Sequence, residues 1–229
     1  TPGHDFELAA GWLLAEGVID GPPDLHGVRY CTDPDLDGEQ RYNVVTADLK
    51  AARRVVERLM MTSSSCGVCG SQSISELAAL GHPPLEADGG HRSLAWSTLV
   101  RLPDLLAEGQ RQFRSTGGLH AAGLVSFEGE LLAVREDIGR HNAVDKVIGW
   151  AVLGRRFPLP GVALVVSGRT SFEIVQKAVR AGISFVAGIS AASSLAARMA
   201  DESGMTLVGF LRADRCTVYA HPERITIED

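Results

Sequence analysis

A layered α/β fold with a largely parallel sheet is what the second half of this 229-residue sequence predicts. Two observations point there. From residue 121 onward, short apolar runs alternate regularly with stretches of helical spacing, the pattern of strand–helix–strand units. The joints that follow the strands are rich in glycine, serine and charge, as loops leading from parallel strands into helix N-termini are when they bind a ligand.

The elements follow in order. "SLAWSTLVRLPDLLAEGQRQF" reads as helical, interrupted at Pro103. "AAGLVSF" and "LLAVRE" are strands joined by the turn "EGE", and "HNAVDKVIGWAVL" is a helix. Strand "VALVVS", helix "SFEIVQKAVRAG", strand "SFVAG", helix "SSLAARMADES" and the strands "TLVGFL" and "CTVYAH" complete the series. Ahead of them, "DFELAAGWLLAEG" (5–17) reads as an amphipathic helix, with Asp5 as N-cap and Gly17 just past its end. "GVRYCT" and "RYNVVTA" form an antiparallel hairpin around the acidic turn "DPDLDGEQ". "LKAARRVVERLMM" has helical spacing with β-branched content and reads either way. The loop "SSSCGVCGSQS" and a short helix "SISELAAL" come next, and the latter stops at Gly81-His82-Pro83-Pro84. The turn-rich "GHPPLEADGGHR" divides a smaller α+β domain over 1–91, with the CxxC loop at 62–73, from the α/β domain over 92–229.

Composition excludes several classes. Hydrophobic residues at 45% and charged ones at 22% are ordinary for a globular protein, and no apolar run approaches the roughly 20 residues of a membrane span. The net charge of −6 falls on residues 1–129, with 10 basic and 17 acidic side chains. Residues 130–229 are near neutral, with 12 basic and 11 acidic. An acidic chain is a poor general binder of nucleic acid, whereas a small anion needs only a few local cations. The start carries neither an initiator Met nor a basic leader, so the chain reads as opening inside a longer protein. Four cysteines (Cys31, Cys66, Cys69, Cys216) are too few for a disulfide scaffold, and the expectation is reduced thiols in the cytoplasm.

Four loops carry the candidate chemistry: "REDIGRHN" (135–142), "SGRTSFE" (167–173), "GISAASS" (188–194) and "FLRADR" (210–215). Backbone N–H groups, hydroxyls and guanidiniums on one sheet edge suit an anionic, nucleotide-like ligand. In the first loop, Asp137, Arg140, His141 and Asn142 are expected to line the cleft. Arg140, Arg169, Arg212, Arg215, Lys146 and Lys177 are the cations available to phosphate. His120, beside two glycines, is a candidate of the same edge. Trp12, Trp96 and Trp150 read as core, and Cys31 and Cys216 as buried small hydrophobes in strands. The closely spaced Cys66 and Cys69 leave three readings: half a zinc site, a redox dithiol, or a sulfur-carrying thiol on a loop.

The segments "TPGHDFELAAGWLLAEGVI", "SSSCGVCG", "TGGLHAAG", "REDIGRHNAVDKVIG", "SGRTSFEIVQKA", "GISAASSLAARMA" and "GFLRADRCTVYAHPERI" together resemble the formate dehydrogenase accessory sulfurtransferase family, FdhD. The resemblance implies a cytidine-deaminase-like three-layer fold for the C-terminal domain. It also implies a function: sulfur is accepted from a cysteine desulfurase as a persulfide. That sulfur then goes to the molybdenum bis-molybdopterin guanine dinucleotide cofactor that formate dehydrogenase requires. Carried over, Cys66 bears the persulfide with Cys69 as its partner. Phe210, Leu211, Arg212, Ala213, Asp214 and Arg215 contact the cofactor, with Ser167, Arg169 and Ser190 in the neighbouring loops. GDP is then a fragment ligand, and the protein is expected to be a homodimer without nucleic-acid or membrane partners.

Rival readings meet specific obstacles. One CxxC with two distant lone cysteines and no H-x₃₋₅-H falls short of a zinc site, so no metal is expected. The H-x-E…P-C-x-x-C pattern of zinc deaminases is absent, since Ser65 precedes Cys66. A thioredoxin-like protein sets its dithiol in a different architecture. A chaperone that holds the cofactor without chemistry also remains, and it would survive loss of Cys66.

Overall fold

The computed structural model describes residues 1–38, 40–51, 85 and 92–227. Cys66 and Cys69, the helix "SISELAAL", most of "LKAARRVVERLMM" and most of the linker lie outside the described residues.

The chain opens with α1 (Asp5–Ala15), followed by β1 (Leu25–Tyr30) and β2 (Val45–Leu49), which pair antiparallel as the hairpin pattern predicts. Gly17 does lie just past the helix in the left-handed region, at φ 71°. Asp5 is not the N-cap. His4 occupies that position, Asp5 opens the first turn, and the Tyr30 hydroxyl donates to the Asp5 carboxylate at 2.8 Å.

After residue 92 come β3 (Leu94–Ala95), α2 (Trp96–Leu99), α3 (Leu102–Gly109) and α4 (Phe113–Thr116). Pro103 starts α3 rather than interrupting a helix, because a residue without an N–H is tolerated in the first turn. Then follow β4 (His120–Ser126), β5 (Leu131–Asp137), α5 (Arg140–Leu153), β6 (Val162–Val166), α6 (Phe172–Arg180), β7 (Phe185–Gly188), α7 (Ser194–Glu202), β8 (Thr206–Gly209) and β9 (Thr217–Ala220). A last short strand, β10 (Ile225–Thr226), pairs parallel with β3 and had no counterpart in the sequence pattern.

Strands β4 to β9 form one sheet in the order β5-β4-β6-β7-β8-β9. It is mixed rather than largely parallel. Only β6–β7 and β7–β8 are parallel, while β4 runs against both β5 and β6, and β9 runs against β8. The short connections explain this: a tight turn joins β4 to β5 and residues 210–216 join β8 to β9. A parallel crossover needs a dozen residues or more.

Helices cover both faces. Residues of α5, α6 and α7 pack against Ala122, Leu124, Leu164, Val186 and Leu207 on one face. Leu99, Leu102 and Leu106 of α2 and α3 pack against Ala121, Val165, Phe185 and Val208 on the other. Helix α1 lies on α5, and its Ala10 and Leu14 join the same core as Val144 and Ile148. Two glycines permit this close crossing. A Cβ on Gly149 would fall 1.7 Å from the Glu7 carbonyl oxygen, and one on Gly11 would fall 1.9 Å from that of Asp145.

Trp12, Trp96 and Trp150 are half-buried and pack against these cores from their rims. Cys31 and Cys216 are half-buried and sit just outside β1 and β9 rather than within strands.

Candidate functional site at the sheet edge

Strand register gathers the candidate loops. His120 pairs with Asp137, Ala122 with Val166, Val166 with Gly188, and Ala187 with Val208. The start of β4 and the ends of β5, β6, β7 and β8 therefore open on one edge, as expected for a ligand site in an α/β sheet.

Main-chain hydrogen bonds hold these loops together. Ser167 N donates to Ala121 O at 3.0 Å, and Ala121 N donates to Ser167 Oγ at 2.9 Å. Thr170 N donates to Ala191 O and Ser193 N to Thr170 O, both at 3.0 Å. Phe210 N donates to Ser190 O at 3.1 Å, and Leu211 N to Gly188 O at 3.2 Å. Ser193 Oγ accepts from Ala196 N and caps α7. Ser167 and Ser190 thus have main-chain roles in shaping the edge, and both remain half-exposed.

The first loop divides into a buried anchor and an outward rim. Asp137 is fully buried, accepting from Lys146 Nζ at 2.7 Å, Gly139 N at 2.9 Å and Asn142 Nδ2 at 3.2 Å. Burial alone would raise its carboxyl, but the hydrogen bonds from Lys146 and Gly139 outweigh it and hold the group below the usual range. Lys146 also donates to the carbonyls of Thr1 and Glu136, and Ile138 N donates to Thr1 Oγ1. Thr1 is therefore part of this loop's support.

Asp137 consequently shapes the loop and does not face a ligand. Lys146 and Lys177 are likewise unavailable to phosphate, a correction to the sequence reading. Lys177 is buried against Asp145, with Nζ at 2.7 and 2.9 Å from the two carboxylate oxygens. Burial pushes Asp145 up to about 6 despite this partner.

Arg140 and His141 point the other way. His141 Nε2 lies 2.9 Å from Ser171 Oγ and 3.8 Å from a Glu173 oxygen. Burial, then the Arg140 guanidinium, lowers His141 to about 4, so its ring is neutral at neutral pH. His120 is lowered by the same two causes. It stands beside Gly168, where a Cβ would lie 3.1 Å from His120 Nδ1. Three buried atoms in this neighbourhood have no hydrogen-bond partner: Arg140 Nε, Thr170 Oγ1 and Glu173 Oε2. Thr170 and Glu173 escaped the sequence reading, because a threonine and a glutamate at a helix start look like ordinary N-terminal preference.

The His141 shift has a testable sign. Between pH 6.5 and about 4 the unfolded chain takes up a proton that the folded ring refuses, so acidification through that window removes stability. Asp145 acts oppositely between its ordinary 3.8 and about 6, where the folded state holds the extra proton. His141→Gln should therefore lose less melting temperature from pH 7 to pH 5 than the wild type. Equal losses would mean that the folded protein protonates His141.

In the last loop, Leu211 is buried in the core, whereas Arg212, Ala213, Asp214 and Arg215 are exposed. Arg212 Nη1 donates to the carbonyls of Ile189 and Leu211, both at 2.7 Å, which ties this loop to the one after β7. Arg215 lies 3.6 Å from Asp214, and both are about three-quarters exposed. Phe210 is exposed at φ 50°, and Arg169 is exposed in the loop after β6. A cleft of about 400 Å³ runs along β5, lined by Pro2, His4, Arg111, Gln112, Arg135 and Glu136, and meets the first loop at its start. Among the described residues, no three His, Cys, Asp or Glu side chains are grouped to hold a metal ion, and no helix is long and apolar enough to cross a membrane.

The model of the FdhD/NarQ family matches residues 1–226. The chain belongs to this family. Among curated FdhD relatives, the "Sulfur carrier protein FdhD" of Mycolicibacterium paratuberculosis is 49% identical, over 98% of this chain and 84% of its own. The protein of the same name from Sulfurisphaera tokodaii is 42% identical, over 98% of this chain and 82% of its own. A crystal structure from Desulfotalea psychrophila, assigned as a formate dehydrogenase accessory protein, superposes with a TM-score of 0.74 at 25% identity. That match covers 98% of this chain and 81% of the other.

Proposed function

We propose that this FdhD-family protein is a sulfur carrier for formate dehydrogenase maturation. Cys66 accepts sulfur from a cysteine desulfurase as a persulfide, with Cys69 as its partner. The sulfur is delivered to the molybdenum bis-molybdopterin guanine dinucleotide cofactor, which is the substrate and is held at the sheet edge. The observation that carries the reading is near-full-length identity of 42–49% to relatives named as sulfur carriers. The edge supports it: exposed Arg169 and Arg215 suit phosphate, and the loops are already fixed by their own hydrogen bonds. A deaminase-like ancestry of the sheet, a homodimeric assembly and a cytoplasmic setting belong to the same reading.

Calorimetry with GDP tests the nucleotide half. GDP should bind, and Arg215→Ala should weaken it about tenfold, the loss of one charge-assisted hydrogen bond. Arg212→Ala should weaken it as well, because its guanidinium also fixes the loop. Unchanged binding in both variants would remove the phosphates from the 210–215 loop.

A further inference from the structure

The stretch between β1 and β2 is a built turn rather than a slack link. Residues 31–44 hold four acidic side chains and one basic. Their backbone is fixed by local hydrogen bonds. Asp35 N donates to Asp33 Oδ1 at 3.0 Å. Asp37 N donates to Gln40 Oε1 at 3.1 Å, and Gln40 N donates back to Asp37 Oδ1 at 2.8 Å. Asn43 N and Val44 N both donate to Gln40 O, at 2.9 and 3.2 Å.

Where this turn rejoins β2, it displays an aromatic ring on a strained backbone. Tyr42 lies in the left-handed region, at φ 67°, which glycine and asparagine tolerate and bulky residues avoid. It is nonetheless 73% exposed, so burial does not offset that strain. The ring stands edge-on to Tyr30 with centroids 5.4 Å apart, and Tyr30 packs on Phe6 at 4.7 Å. The Tyr30 hydroxyl is held by Asp5, which fixes the support beneath the outer ring. A strained, outward aromatic on a rigid support has the form of a binding anchor, because a few such residues dominate the energy of an interface.

We propose that Tyr42, with Asp33 and Asp35, forms a docking surface for an arginine-bearing face of the sulfur donor. The assignment rests on the carrier role of Cys66. A guanidinium can stack on the open ring while the exposed Asp33 and Asp35 carboxylates pair with neighbouring cations. A second copy is not the occupant, since it would bring the same acidic turns together. The donor is the partner that has to reach the CxxC segment, and β2 leads into that segment in sequence. A few charges around one anchor suit a brief, salt-sensitive contact that must come apart again. In the transfer, the Cys66 thiolate attacks the outer sulfur of the donor's persulfide and forms a new S–S bond. The old S–S bond breaks and the donor's cysteine leaves as a thiolate, with no external oxidant or reductant.

Sulfur uptake by the full chain tests this, read by mass spectrometry as the adduct on Cys66. The sources are a cysteine desulfurase with cysteine and, separately, sodium tetrasulfide, which needs no docking surface. Tyr42→Asn should take sulfur from the desulfurase about tenfold more slowly at limiting concentrations. The double variant Asp33→Asn with Asp35→Asn should lose most of the salt dependence of that uptake. Both variants should load from tetrasulfide as the wild type does. Tyr42→Asn should melt no lower than the wild type, since asparagine accepts this φ, whereas loss of a purely structural ring would lower it. Unchanged uptake from the desulfurase in both variants would overturn the docking surface and leave the carrier reading intact. Equal losses with tetrasulfide would also overturn it, because Cys66 itself would then be affected. Normal uptake with loss of dehydrogenase activation would give the surface to the recipient and overturn the donor as occupant. A wild type that takes no sulfur from the desulfurase would overturn the carrier reading and the docking surface together.

Discussion

Cys66→Ala should abolish formate dehydrogenase activation, while Cys69→Ala should retain part of it. A carrier needs one nucleophilic thiolate that can meet both donor and acceptor, whereas a dithiol oxidoreductase needs both thiols equally. The residues around Cys66 are small, with Ser63 to Ser65 on one side and Gly67 and Gly70 on the other. The remaining thiols are poor substitutes. Cys31 and Cys216 are both half-buried, and burial pushes the Cys216 thiol up, which disfavours the thiolate. Mass spectrometry after incubation with a cysteine desulfurase and cysteine should find sulfur-mass adducts on Cys66 and none in Cys66→Ala. A variant that still delivered sulfur, with its adduct on Cys31 or Cys216, would refute the carrier role of Cys66. Full dehydrogenase activation by Cys66→Ala without any adduct would favour a chaperone that performs no chemistry.

The second large effect is on stability. Lys146→Met should destabilise the protein by about 3–5 kcal/mol, since it removes the buried ammonium paired with the fully buried Asp137 carboxylate and leaves only the Thr1 ammonium beside it. Combining it with Asp137→Asn should recover much of that loss, because a neutral side chain no longer requires a charge beside it. Urea unfolding of the two single variants and the double variant would measure the coupling. Additive losses would show that the two groups stabilise the fold independently of each other.

Periodicity made the fold legible where packing is repetitive. The elements from β4 to β9 were recoverable because β6, β7 and β8 are short apolar runs buried along their whole length and stretches of helical spacing separate them. Strand direction was not. It depends on connection lengths, and the turn before β5 and the residues between β8 and β9 reverse the chain where alternation alone suggested parallel neighbours. The site was legible as loops and illegible as side-chain orientations. "EDIGRHN" marked the place, yet nothing in that string separates Asp137, turned inward to Lys146, from Arg140 and His141 on the rim. Glu173 went unnoticed for a related reason. An acidic residue in a first helical turn is common, and only the lack of a partner at Oε2 singles it out.

The placement of charge also sets how the protein responds to ionic strength. Lys146–Asp137 and Lys177–Asp145 are enclosed, so mobile ions reach them weakly. Arg169 and Arg215 stand in solvent, where the screening length is about 8 Å at physiological salt. If the edge holds the anionic cofactor as proposed, added salt should weaken that hold while the ion pairs that shape the edge stay intact. In that reading grip and shape are carried by different charges, so a cargo would be loosened without the site that held it being lost.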